Sequence, residues 1–128
     1  MPNVYTGQTL TLEIDSVAYS AQVTRAELVP TQNQNQEPTL SSVASWVDPV
    51  TWVLEVENFQ DWSVSTGISD ALYAEALAGN TVTFELGLPN SRTITGSIVV
   101  LYSTIGGAAS GALTQSYSFP VSGNLTLT

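Results

Sequence analysis

The sequence predicts a mostly β domain, a β-sandwich or barrel-like fold with one α-helix packed on a sheet. Three observations carry that reading. Residues 66–78 hold the one convincing helical period in the chain. Most other segments alternate apolar and polar side chains with a period of two. The 128 residues form one domain, residues 1–128, long enough to bury a core without disulfides or metals.

The helix organises the rest. Thr66 is the expected N-cap, and Asp70 falls in the first turn, where a carboxylate suits the helix dipole. Ile68, Leu72, Tyr73, Ala76 and Leu77 fall within an arc of about 180°, so Leu72, Tyr73, Ala76 and Leu77 are the expected helix–sheet core. Gly79 supplies the left-handed residue that ends helices. From Thr81 the period switches to two: Val82, Phe84, Leu86 and Leu88 point one way, and Thr81, Thr83 and Glu85 the other.

Ahead of the helix, residues 8–14 alternate Leu10, Leu12 and Ile14 against Thr9, Thr11 and Glu13. Asp15-Ser16 reads as a turn into a second strand over 18–29, the pair forming a hairpin. Residues 30–45 are a polar loop rich in Gln and Asn, bracketed by Pro30 and Pro38. A loop of that length is either a floppy insert or functional, and Pro30, Gln32, Asn33, Gln34, Asn35, Gln36 and Pro38 are the expected inter-subunit arm. Residues 50–59 form a strand with Trp52, Leu54 and Val56 on one face and Val53, Glu55, Glu57 and Phe59 on the other. Beyond the helix and its following strand, Pro89-Asn90-Ser91 is a turn. Residues 93–103 read as a strand covered on both sides, 105–111 as a glycine-rich loop, and 112–121 as an alternating strand. Ser122-Gly123 then turns into a short tail.

Composition narrows the function. Cysteine, histidine and lysine are absent, which removes a thiol nucleophile, the commonest general base and most metal ligands. Arg25 and Arg92 stand against 11 carboxylates, a formal net charge of −9, which excludes an ordinary nucleic-acid binder or a surface for anionic lipid. The glycine loop lacks the lysine and spacing of a phosphate loop. Glu55 and Glu57 share a strand face, yet nothing in their spacing selects a glycosidase pair, and no loop gathers oxygens in a calcium-binding order. The opening has no basic lead and no long apolar run, so neither a signal peptide nor a membrane span is expected. No enzyme, metal or cofactor is expected.

The order hairpin, long polar loop, strand, helix, strand, late strands resembles the major tail tube protein of long-tailed, siphovirus-like bacteriophages. The helix block carries the resemblance in Gly67, Leu72, Leu77, Gly79, Val82, Phe84 and Pro89, and IGGAASGALTQSYSFPVSGNLT and PNVYTGQTLTLEID add to it. The resemblance implies a tail-tube-like fold and a structural virion protein that self-assembles in the host cytoplasm. Its subunits would form stacked, hexameric rings around an inner barrel through which DNA is ejected without specific binding. Partners implied are the chain itself and the tape measure, tail terminator and tail-tip proteins. On this reading Glu13, Glu55, Glu57 and Glu85, each on the polar face of a strand, line the lumen with Thr9, Thr11, Thr81 and Thr83. Strand phase equally allows these glutamates to solvate an outer surface. The alternatives are a monomeric β-sandwich binding module for carbohydrate or adhesion, with Trp46, Trp52 and Trp62 as a stacking platform, and a phage head decoration or connector protein.

Overall fold

The computed structural model describes residues 5–64 and 66–128, so the first four residues of the opening segment and Ser65 lie outside it. A 3-10 turn, Gly7–Thr9, leads into β1 (Thr11–Ile14) and β2 (Val17–Ala18). Then come β3 (Val23–Thr31), β4 (Gln34–Pro38), β5 (Val43–Val47), β6 (Thr51–Phe59), α1 (Ile68–Ala78), β7 (Thr81–Leu88), β8 (Arg92–Val99) and β9 (Thr114–Leu127). Among the described residues, seven strands form one antiparallel sheet in the order β2-β1-β7-β8-β9-β6-β3, and β4 and β5 pair only with each other. The result is a curled β domain carrying one helix among the described residues.

The curl follows from chain length. β2 and β3 lie at opposite edges of the sheet yet are joined by residues 19–22 alone. The five steps from Ala18 to Val23 reach at most about 18 Å, whereas six flat strand spacings cover about 29 Å. The sheet therefore folds its edges toward each other. The bend runs through β9, which changes partner along its length: residues 114–120 pair with β6, and residues 121–127 with β8. Two leaves result, one from β2, β1, β7, β8 and the end of β9, the other from β3, β6 and the start of β9.

The inner side of the curl is the core. Leu12 and Ile14 of β1, Val82, Phe84 and Leu86 of β7, Ile98 of β8, Leu54 and Val56 of β6, and Tyr117 and Phe119 of β9 are all buried there. The Tyr117 and Phe119 rings stack at 5.0 Å. Each such side chain contributes about 1.5–3 kcal/mol by leaving water.

Several expectations need correction. Residues 18–29 are not one strand hairpinned to β1. The chain breaks after Ala18 because Gln22 is used at the helix: its Oε1 accepts the Ile68 N–H at 2.7 Å, and its Nε2 donates to the Thr66 carbonyl at 3.2 Å. Gly67, not Thr66, is the N-cap residue, and a glycine has no side chain with which to cap. A distant glutamine does that work. At the other end Gly79 does sit left-handed, at φ 72°.

The helix is also rotated from the expected face. Ile68, Ser69 and Leu72 are buried, with Ala71 and Ala76 packed against the core. Tyr73 is 42% exposed and Leu77 69% exposed, so these two are not core positions. The reason is polar. The Ser69 hydroxyl donates to Gln115 Oε1 at 2.7 Å and accepts the Asp61 N–H at 3.1 Å, which pins the Ser69 side inward and turns Tyr73 and Leu77 outward.

The strand expected over 93–103 stops at Val99: Val100 is buried, but Leu101 and Tyr102 are exposed. β9 does not end at Ser122-Gly123. Gly123 takes φ 80°, absorbing a bulge opposite Gly96, and the strand runs on to pair Thr126 with Thr95 and Leu127 with Ile94. Residues 30–45 are not a loop either: Pro30 and Thr31 belong to β3, and the rest enters the β4–β5 hairpin.

Candidate functional site

The outer side of the sheet carries the charge. Glu13 of β1 faces Glu85 of β7 directly across the strand pair, and Glu85 in turn faces Thr95. Like charges directly opposed repel. The Glu85 carboxyl is therefore held above the usual carboxylate range, first by its hydrogen bond to Glu13, then by partial burial and the neighbouring charge.

The other leaf bears a different cluster. Arg25 of β3 bonds Glu27 at 3.1 Å, Glu55 at 3.3 Å and Glu57 at 3.3 Å. The cross-strand register, Arg25 against Glu57 and Glu27 against Glu55, sets this arrangement. Three carboxylates thus share one guanidinium, whose charge is enclosed by them. Among the described residues no group of acidic side chains is arranged to hold a metal ion.

The four glutamates expected to act together thus occur in two clusters. All lie on the outer side of the sheet, but β8 and β9 intervene, and the bend through β9 turns the Glu13–Glu85 pair away from Glu55 and Glu57. Sequence reading missed the partners that Arg25 supplies. Its signal was the odd charge on an alternating segment whose facing strand carries two glutamates.

The expected arm residues Gln34, Asn35, Gln36 and Pro38 form β4; Gln32 and Asn33 precede it, and Asn33 accepts the Asp48 N–H at 2.8 Å to close the base of the hairpin. β5 places Val43 and Val47 on one side and Trp46 on the other, and all three are exposed, as is Leu40 at the tip. At the other end of β6 lies an aromatic row. Trp62 meets Tyr73 edge-on at 6.3 Å, and Tyr73 meets Tyr102 at 5.5 Å. Leu101 and Ile105 flank it, exposed. The expected grouping of Trp46, Trp52 and Trp62 as a platform does not occur, since Trp46 lies on the hairpin and Trp62 beyond the far end of β6. The rings that do gather are tilted by 68° and 57°, so they offer no common plane for a sugar face.

A buried polar network ties this end together. Tyr117 Oη and Ser69 Oγ both donate to Gln115 Oε1, and Gln115 Nε2 donates to the Thr104 carbonyl. Burial pushes the Tyr117 hydroxyl up to about 12, partly offset by its bond to Gln115. Asp61 is held below its ordinary value by the Ser63 side chain and backbone N–H. These groups brace structure and include no nucleophile with an adjacent base. An opening of about 580 Å³ lies at the seam between the β1 and β3 sides of the curl, lined by Leu10, Leu12, Ser20, Val23, Arg25 and Glu27.

No family model and no curated protein matches the chain. Solved structures do. The chain is similar, at 12% identity and TM-score 0.78, to a chain in the virion of a native gene transfer agent particle, over 98% of this chain and 99% of that one. It is similar at 12% identity and TM-score 0.79, over the same shares, to a chain in the tail of an empty gene transfer agent particle computed with helical refinement and C6 symmetry. At this identity the likeness shows a shared fold along the whole chain.

Proposed function

We propose that the chain is a non-enzymatic structural subunit of a phage-like tail, located in the virion, that associates with copies of itself into stacked sixfold rings. The rings form a tube through which double-stranded DNA passes, with tape measure, tail terminator and tail-tip proteins as its other partners. The observation that carries the reading is the full-length likeness to chains of a tail and virion, one of them a tail with C6 symmetry.

The sheet edges support it. Among the described residues, β3 pairs on one side only, with β6, and the start of β9 pairs only with β6. Between its bulge near Val23 and Pro30, β3 offers an open edge without lysine. Soluble monomers blunt such edges. A ring satisfies them by continuing the β3-β6-β9 leaf into the leaves of neighbouring copies.

On this reading the outer face of that leaf is the lumen wall, lined by Glu55 and Glu57 with Glu27. The Glu13–Glu85 pair lies beyond the bend, so of the four glutamates expected from the sequence Glu55 and Glu57 remain in the proposed lining, joined by Glu27. Arg25 is occupied by three carboxylates, so the cluster presents net negative charge to DNA. A basic wall would hold phosphates through counterion release. An acidic one repels them within a Debye length of about 8 Å and lets the duplex slide.

Electron microscopy of the purified protein, or of particles carrying it, tests the reading. Rings or tubes with sixfold symmetry are expected; a protein that stays at 13.6 kDa at high concentration and in particle extracts overturns it. Replacing Glu55 and Glu57 by Lys would set new cations beside Arg25, and slowed DNA ejection at low salt is the expected result.

A further inference from the structure

The hairpin and the aromatic row are two apolar surfaces at opposite ends of one strand. The hairpin leaves from Thr31 and returns at Thr51, where β3 and β6 end together. The aromatic row sits past Phe59, the other end of β6. Gln60 gathers it there, accepting from Trp62 Nε1 at 3.1 Å and donating to the Gly106 carbonyl at 2.8 Å beside Ile105. β6 spans Thr51–Phe59, about 27 Å at strand rise. One copy therefore cannot seat its own hairpin on its own aromatic row.

We propose that the β4–β5 hairpin of one copy docks on the Trp62–Tyr73–Tyr102 row of the next copy along the β6 direction. This is the contact that stacks one ring on another, and it rests on the tail reading above.

Shape and charge select a second copy as the occupant. β5 gives the hairpin exposed apolar side chains on both sides, Val43 and Val47 on one and Trp46 on the other, beside the polar side chains of β4, so it suits a wedge into a tilted surface. The 57° and 68° angles of the tyrosine and tryptophan rings make such a surface. Copies of a chain with net charge −9 repel one another. Residues 34–47 carry a single charged side chain, Glu37, and the row carries none, so repulsion is weakest where these two surfaces meet. A patch fitting a different patch on an identical chain makes a heterologous contact, which repeats without closing when the copies are related by translation.

The absence of cysteine allows a direct test. Protein carrying Trp46→Cys is mixed with protein carrying Tyr102→Cys, assembled, and oxidised. A disulfide requires Cα atoms within about 7 Å, so cross-linked dimer is expected at about tenfold the yield of Trp46→Cys mixed with Ser91→Cys, a variant of the exposed β7–β8 turn. Equal yields overturn the proposal. In parallel, the Val43→Ser/Trp46→Ser variant is expected to give rings that do not stack; tubes of wild-type length overturn the proposal and leave the tail reading standing. Wild-type protein that forms neither rings nor tubes overturns the tail reading, and this inference with it.

Discussion

Leu54 and Val56 of β6 are fully buried, whereas Val43, Trp46 and Val47 of the neighbouring β5 stand in water. Both are antiparallel strands with similar residues. The difference lies in what covers them. β6 sits between β3 and β9 with α1 and the opposite leaf across the core, while β5 has only β4, whose residues are Gln, Asn, Gln, Glu and Pro. A lone two-stranded ribbon is marginal in water. The body thus gains its stability within one chain, and the hairpin keeps its apolar side chains for a surface outside it.

Substitutions sharpen that contrast, beginning with the body. Phe119→Ala removes a fully buried ring stacked on Tyr117 and is expected to lower unfolding free energy by about 3–5 kcal/mol. A urea melt measures this, and a loss under about 1 kcal/mol would mean that the curl is not the core. Within α1 the same comparison recurs on a smaller scale. Leu72→Ala is expected to cost about 2–5 kcal/mol and Leu77→Ala less than about 0.5 kcal/mol; equal costs would restore the face predicted from the sequence. Ser69→Ala leaves the Asp61 N–H without its acceptor and is expected to cost about 1–3 kcal/mol.

The hairpin should behave oppositely. Deleting residues 32–36 removes most of β4 and is expected to leave the melting temperature of the monomer within a degree or two, about the effect of a 0.5 kcal/mol change, while abolishing tubes. A large drop in melting temperature would show that the body leans on the hairpin.

The smallest effect concerns pH. The folded state holds the Glu85 proton more tightly than the unfolded chain does, because Glu13 faces it. That contribution is present below the ordinary carboxylate value and is lost as pH rises through the raised one. Glu85→Gln is therefore expected to flatten the dependence of melting temperature on pH between about 4 and 7 and to raise it at the upper end. An unchanged slope would show that the two carboxyls do not communicate.

Local pattern was enough for the elements whose partners are near in sequence. The period of two over 81–88, the turn at Asn90-Ser91 and the β-branched run that follows made β7 and β8 legible, and they pair as neighbours from Thr81 with Val99 to Leu88 with Arg92. The helix ended at Gly79 as read, because the left-handed cap is a property of that residue. The outward phase of Glu13, Glu55, Glu57 and Glu85 also followed from alternation alone. Tertiary structure decided what depends on distant groups. Gln22 broke the second strand because an uncapped helix start 46 positions away needed its side chain. Ser69 turned the helix because Gln115 offered a buried acceptor. β9 carried on through Gly123 because β8 still had unpaired backbone groups for it to satisfy. The glutamates were divided into two clusters by the bend where β9 changes partner, and the aromatic row formed from Trp62, Tyr73 and Tyr102 only once the helix had rotated. A period records which side of an element is apolar, but the packing partners set the final angle and choose which apolar residues remain for another copy.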